Sequence, residues 1–312
     1  MWILSWRWCG RTTGKLKKQE RAFWKPGYPG FGLIHILENR TSEEEHYMIH
    51  PVISYETLYP GMTDVEKIKR ISERGFPLME FWGWKGKPLD EIEEIMQRSD
   101  VRIMNFSGHR AGDLIDRNTH DILIEDIKGS IAVAQKLGTK ILMVLSNELG
   151  DEGVVVHPCE HLSASQKHAN VVECVKRILE YLPDDMTIVL EPLNTLVDHM
   201  NNYLYRVEDA AEIVDEVGDT RVRILFDMYH QSVMGDDLEY LMKNYMQYIG
   251  YIHIADCPGR HEPGTGTVDW DRMLKTAALA GYDGCVGFEY FPLGDSTESL
   301  TAVRNLWDRV FG

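Results

Sequence analysis

A closed (β/α)8 barrel, the TIM-barrel form of the α/β class, is the fold this sequence predicts, and three observations predict it. Eight short β-rich runs alternate with longer stretches of helical period between residue 48 and the C-terminus. Strand alternating with helix implies parallel pairing through right-handed crossovers, and eight such units close a barrel. No GxGxxG turn follows the first run, as an open dinucleotide-binding sheet would require.

In chain order the runs are His50–Ser54, Leu78–Trp82, Val101–Phe106, Lys140–Leu145, Thr187–Leu190, Arg223–Phe226, Tyr251–Ile254 and Cys285–Phe288. Helical period appears between them at Asp64–Ile71, Asp121–Leu137, Ser163–Leu182, Val207–Val217 and Trp270–Ala280. Thr63 stands where the first helix needs an N-cap, Gly138 where the second needs a C-terminal stop, and Gly281 follows the last. The stretch "EPGTGTVDW" lacks the Lys-Ser/Thr that completes a phosphate-binding P-loop, so it reads as a loop before the next helix.

Composition bounds the function. Hydrophobic residues make up 44% and charged residues 26% of the 312, enough apolar content for a sizeable core. A net charge of −16 argues against nucleic acid and anionic membrane as partners, because phosphate contacts need clustered Lys and Arg. The five cysteines form no CxxC pair and leave an odd one over, a pattern expected of a reduced, cytoplasmic protein rather than a disulfide scaffold. No apolar run approaches a membrane span.

Residues 1–47 differ from the rest. They hold four Trp, eight Lys and Arg against five Glu, no sustained period, and the loop-like stretch 25–32. The apolar start is interrupted by Arg7 and followed by the basic residues, the reverse of a secretory signal. The expectation is a poorly structured N-terminal extension outside the fold, with the barrel domain over 48–312 and Met48 as its original start; the alternative is a Trp-rich arm that binds a partner.

Four consecutive runs end in groups that can ligate a metal: Glu191, Asp227, His253 and Glu289, spaced by 36, 26 and 36 residues, each about one strand-plus-helix unit. Strand ends line one face of a barrel, the face on which active sites are built. A single acid at a strand end is usually a cap or a surface residue. Three carboxylates drawn to one point repel unless a cation sits among them. Hard oxygen ligands with one imidazole suit a single Mn2+, Mg2+ or Co2+ ion.

These residues lie in "EPLNTLVDH" (191–199), "LFDMYHQSVMGDDL" (225–238), "IGYIHIADCPGRHEPGTGTVDW" (249–270) and "GYDGCVGFEYFPLGDSTESL" (281–300). In them the chain resembles the xylose-isomerase-like barrel superfamily, particularly the branch of hydroxypyruvate isomerase and its sugar-isomerase relatives. Before residue 180 the likeness rests on the strand–helix rhythm and "IMNFSGH" (103–109). The resemblance implies a metal-dependent isomerase acting on a small carbohydrate or oxo acid, with Glu191 and Glu289 as acid/base pair and metal ligands, and Asp227 and His253 completing the coordination. It further implies substrate contacts from His230 and Arg260, with His199 facing the pocket and Glu80 closing it around the substrate's carbon face. Relatives of this kind are commonly homo-oligomers.

Three rivals accompany that reading. A ketose 3-epimerase would share the metal and the acid/base pair, but such enzymes commonly carry a Glu six residues after the first ligand, where this chain has Val197. An apurinic endonuclease carries a DRHE motif, and here Gly259 replaces its Asp. A non-catalytic sugar-binding barrel would lack one of the two glutamates, and both are present.

Overall fold

The computed structural model describes residues 49–150 and 153–312. The expectations for residues 1–47, and for Met48 as a start, fall outside the described residues. Eight strands form one closed barrel in sequence order, every neighbouring pair parallel. They are β1 (His50–Ser54), β2 (Leu78–Phe81), β3 (Arg102–Ser107), β4 (Ile141–Val144), β5 (Thr187–Leu190), β6 (Val222–Asp227), β7 (Ile249–Ile254) and β8 (Cys285–Phe288). Around them run α1 (Asp64–Ser72), α2 (Leu89–Arg98), α3 (His120–Leu137), α4 (Ala164–Leu179), α5 (Val207–Val217), α6 (Met228–Met234), α7 (Leu238–Tyr245), α8 (Trp270–Leu279) and α9 (Ser296–Phe311).

The caps behave as their chemistry requires. Thr63 and Glu66 form a reciprocal capping box at α1, and Ser163 and Gln166 form another at α4. Gly138 closes α3 in the left-handed conformation. Among the described residues no helix is long and apolar enough to cross a membrane.

Alternation along the strands divides the core in two and thereby builds the site. Ile188 and Leu190 of β5, Ile224 and Phe226 of β6, Ile252 and Ile254 of β7, and Val286 and Phe288 of β8 pack outward with the helices. Val189, Leu225, Tyr251 and Cys285 fill the barrel interior. Successive side chains point to opposite faces, so the residue two beyond each inward one is inward again. Glu191, Asp227 and His253 stand two residues after Val189, Leu225 and Tyr251; Glu289 stands four after Cys285, with Gly287 between. The strand pattern therefore delivers all four groups to the mouth of one cylinder.

Candidate active site

One ligand atom from each of Glu191, Asp227, His253 and Glu289 lies within 4.8 Å of the others, and all four residues are buried. His253 Nδ1 is 3.8 Å from Glu191 Oε1 and 3.8 Å from Glu289 Oε2. Strand register supports the convergence, since Asp227 is directly opposite His253, and His253 opposite Gly287.

The environment holds these groups in unequal charge states. Burial and the neighbouring Glu289 and Asp227 carboxylates push Glu191 well above the ordinary range, against the pull of His253. Burial likewise raises Asp227, to about 6, although Arg260 and His253 oppose it. For Glu289 burial also works against the charge, but Arg260, His253 and hydrogen bonds from Trp82 and Arg260 outweigh it and hold the carboxyl below its ordinary value. His253 goes the other way: burial disfavours its charge, yet Glu80, Glu289 and Glu191 raise it to about 10. His253 Nδ1 has no hydrogen-bond partner among the described residues. An orphaned buried nitrogen facing crowded carboxylates is the donor set a divalent cation completes, so the residues present fit such an ion.

Asp227 is fixed from behind. Its Oδ1 caps α6 by accepting from the backbone N–H groups of Tyr229 (2.7 Å) and His230 (3.3 Å), which aligns the remaining oxygen with the cluster. Glu289 Oε1 accepts from the Trp82 indole, and its Oε2 pairs with Arg260. Arg260 reaches in from the β7–α8 loop, where Asp256 gathers the backbone N–H groups of Cys257, Gly264 and Val268. Its guanidinium lies over the Tyr229 ring at 5.2 Å.

His230 is buried, and burial, the Arg260 guanidinium and the neighbouring His199 and His253 rings keep its own ring well below the ordinary range and therefore neutral. Asn194 sets its tautomer. The Asn194 carbonyl oxygen accepts from the N–H groups of Val197 and Asp198, so its amide nitrogen must face His230 Nδ1, at 2.7 Å. Nδ1 then accepts, and Nε2 carries the proton, unpartnered among the described residues and 3.5 Å from Asp227 Oδ2. His199 donates from Nδ1 to the Gly153 carbonyl at 2.8 Å and turns its ring edge to His230.

Glu80 stands behind His253 rather than beside open space. Its Oε1 is 3.0 Å from His253 Nε2, and its Oε2 accepts from Tyr251 at 2.7 Å. A carboxylate on the far nitrogen of a ligating imidazole fixes which nitrogen faces the ion. The isosteric Glu80→Gln change should therefore weaken divalent-ion binding by about 10- to 100-fold, measured by titration calorimetry. Gly287 makes this contact possible, since a Cβ there would lie 2.5 Å from His253 Cδ2 and 2.6 Å from Glu80 Oε1. Gly287→Ala should cost about 1–3 kcal/mol in a denaturant titration, as overpacking does, and should weaken ion binding as well.

The four groups read from spacing converge, and His230, Arg260, His199 and Glu80, which the resemblance implied, lie around them. Pattern reading missed Asn194, Tyr251 and Gly287, and it gave Trp82 only as the end of the second run. Tyr251 was recoverable from inward alternation on β7. Asn194 carries no such signal, because its orientation is set by loop N–H groups.

The family model described as xylose isomerase-like TIM barrel matches residues 68–306. The chain belongs to that family. Hydroxypyruvate isomerase of Escherichia coli K12 is 34% identical over 131 residues, 42% of this chain and 50% of that protein. The chain thus spans about half the length of the curated relatives it matches. The fold is shared with solved structures: a family 2 AP endonuclease from Brucella melitensis has a TM-score of 0.74 at 21% identity, covering 82% of this chain and 98% of that one. A D-psicose 3-epimerase from Clostridium cellulolyticum H10 has a TM-score of 0.70 at 16% identity, covering 84% and 99%.

Proposed function

We propose that this chain is an isomerase of short sugars or oxo acids, of the hydroxypyruvate isomerase kind, which shifts a carbonyl to the adjacent carbon through an enediolate. The observation that carries the reading is the pair of carboxylates from β5 and β8, which flank His253 at equal distance. Glu289, held ionised by Arg260, takes the proton from one carbon and returns it to the next, and Glu191 on the other side relays the hydroxyl proton to the former carbonyl oxygen, so both carboxylates end as they began. A divalent ion held by Glu191, Asp227, His253 and Glu289 would polarise the substrate carbonyl and offset the enediolate charge.

The remaining side chains bind and orient. His230 offers the Nε2 proton to a substrate oxygen, and the planar donors of Arg260 suit vicinal oxygens. Trp82 holds Glu289 in place through its indole. Glu80 acts on His253, a positioning role in place of the carbon-face contact that the resemblance implied. Val197 is 66% exposed and supplies no polar group, which favours an isomerase over a ketose 3-epimerase. Gly259 has a φ of 105° and approaches His261 so closely that a Cβ would lie 2.7 Å from its ring. An Asp is not accommodated there, which argues against the apurinic endonuclease reading.

Incubating the Mn2+-loaded protein with a panel of short ketoses and oxo acids in D2O tests the proposal. Deuterium should enter at the carbon next to the carbonyl, read by NMR. No uptake with any member of the panel would leave a sugar-binding barrel as the better account.

A further inference from the structure

A second cluster lies outside the strand-end site. Asp113 is in the loop that follows β3, and Glu148 and His157 are in the loop that follows β4. One ligand atom from each falls within 4.8 Å of the others. The two loops are laced together: Asp113 Oδ1 accepts from the Glu148 N–H at 2.8 Å, and Glu148 Oε2 accepts from the Gly112 N–H at 2.6 Å. The backbone of Glu148 also accepts from the Val156 N–H at 3.0 Å, which folds the chain back and brings His157 beside Glu148.

These bonds leave a gap at the centre. The Asp113 side chain is fully buried, yet its Oδ2 has no hydrogen-bond partner among the described residues. His157 Nδ1 is 3.5 Å away, too long for a hydrogen bond. It matches the edge of a tetrahedron of ligands about 2.1 Å from a zinc ion, which is about 3.4 Å. A buried carboxylate oxygen without a donor is costly. His157 is 59% exposed in its side chain, so the position is open to solvent on one side for entry and for a water ligand.

We infer that Asp113, Glu148 and His157 form a second divalent-metal site, of zinc type, that clamps the β3 and β4 loops together. The clamp bears on the strand-end site through Gly153, whose carbonyl holds His199 against His230. It is a structural ion, and the inference does not depend on the isomerase reading.

The test uses the full chain stripped with a chelator and titrated with Zn2+, the bound metal being counted by mass spectrometry. The parent should hold two ions. His157→Ala, at an exposed side chain, should hold one, and Asp227→Asn should also hold one. Zn2+ at a hundredfold excess over its dissociation constant should slow amide exchange in the stretch 146–157 by up to about 100-fold, and His157→Ala should abolish that protection. A parent that binds a single ion, lost in Asp227→Asn, would overturn the inference. So would two ions in His157→Ala, the result expected if His157 and Asp113 form only an ion pair.

Discussion

Replacing Glu289 with Gln should lower the rate of carbon–hydrogen exchange by about 10²- to 10⁴-fold, the range that removal of a positioned proton acceptor produces. The amide matches the carboxylate in shape but has one acceptor oxygen where Glu289 satisfies two donors, Trp82 and Arg260. One donor is therefore left facing the new amide nitrogen. A buried charge deprived of its partner can cost 3–5 kcal/mol at about the upper limit, and the oxygen retained by Gln should keep the loss below that. Far-UV circular dichroism should match the parent, while deuterium uptake falls. A lower uptake at saturating substrate, with the Michaelis constant little changed, marks an interaction made only in the transition state. Unchanged uptake in a folded variant would remove Glu289 from proton transfer.

Stripping divalent metal should abolish exchange, and the stability of the stripped protein should fall as the pH rises. The sign follows from the direction of each shift. Asp227 has a folded-state value of about 6 against an ordinary 3.8, so its ionisation costs the fold about 3 kcal/mol once the pH has passed from 4 through 6. Glu191 is raised by the same causes and adds to that loss. His253, raised to about 10, contributes stability that is complete below its ordinary value near 6.5 and declines from there through 10. Glu289, held low, contributes stability that is present at neutral pH and lost only at the acid end. Above about pH 5, then, Asp227 and Glu191 lower the melting temperature of the metal-free protein as the pH rises, and His253 joins them above about 6.5. Mn2+ binds the ionised ligands and opposes that decline, so its stabilising effect in differential scanning calorimetry should be larger at pH 7.5 than at pH 5.5. A metal effect of equal size at both values would mean that the ion binds somewhere without titrating carboxylates.

The barrel was legible because its strands are buried on both faces and read as short β-branched runs bounded by polar residues. "TIVL" and "CVGF" coincide with β5 and β8, whereas β6 and β7 extend one to two residues beyond "RILF" and "YIHI". The added residues are there because neighbouring strands complete their ladders, which no local pattern announces. Helices α6 and α7 were hidden for another reason. Gly235 breaks "MYHQSVMGDDLEY" in the left-handed conformation, and neither half is long enough to show a period.

At the site, what strand alternation governs could be read, and what loops govern could not. Glu191, Asp227, His253 and Glu289 are inward positions at strand ends, so their spacing alone brought them together. Glu80 is inward too, but its engagement with His253 depends on the missing side chain of Gly287 across the sheet, a tertiary fact. Asn194 orients His230 from within a turn. Asp113, Glu148 and His157 come from two irregular loops whose sequence separation carries no repeat.

Four strand ends are expected to share one ion. Anomalous diffraction from a crystal of the Mn2+-loaded protein tests it most directly. A peak is expected within coordination distance of one oxygen from each of Glu191, Asp227 and Glu289 and of His253 Nδ1. Manganese bound elsewhere, with those four groups separated or occupied only by water and protons, would contradict it.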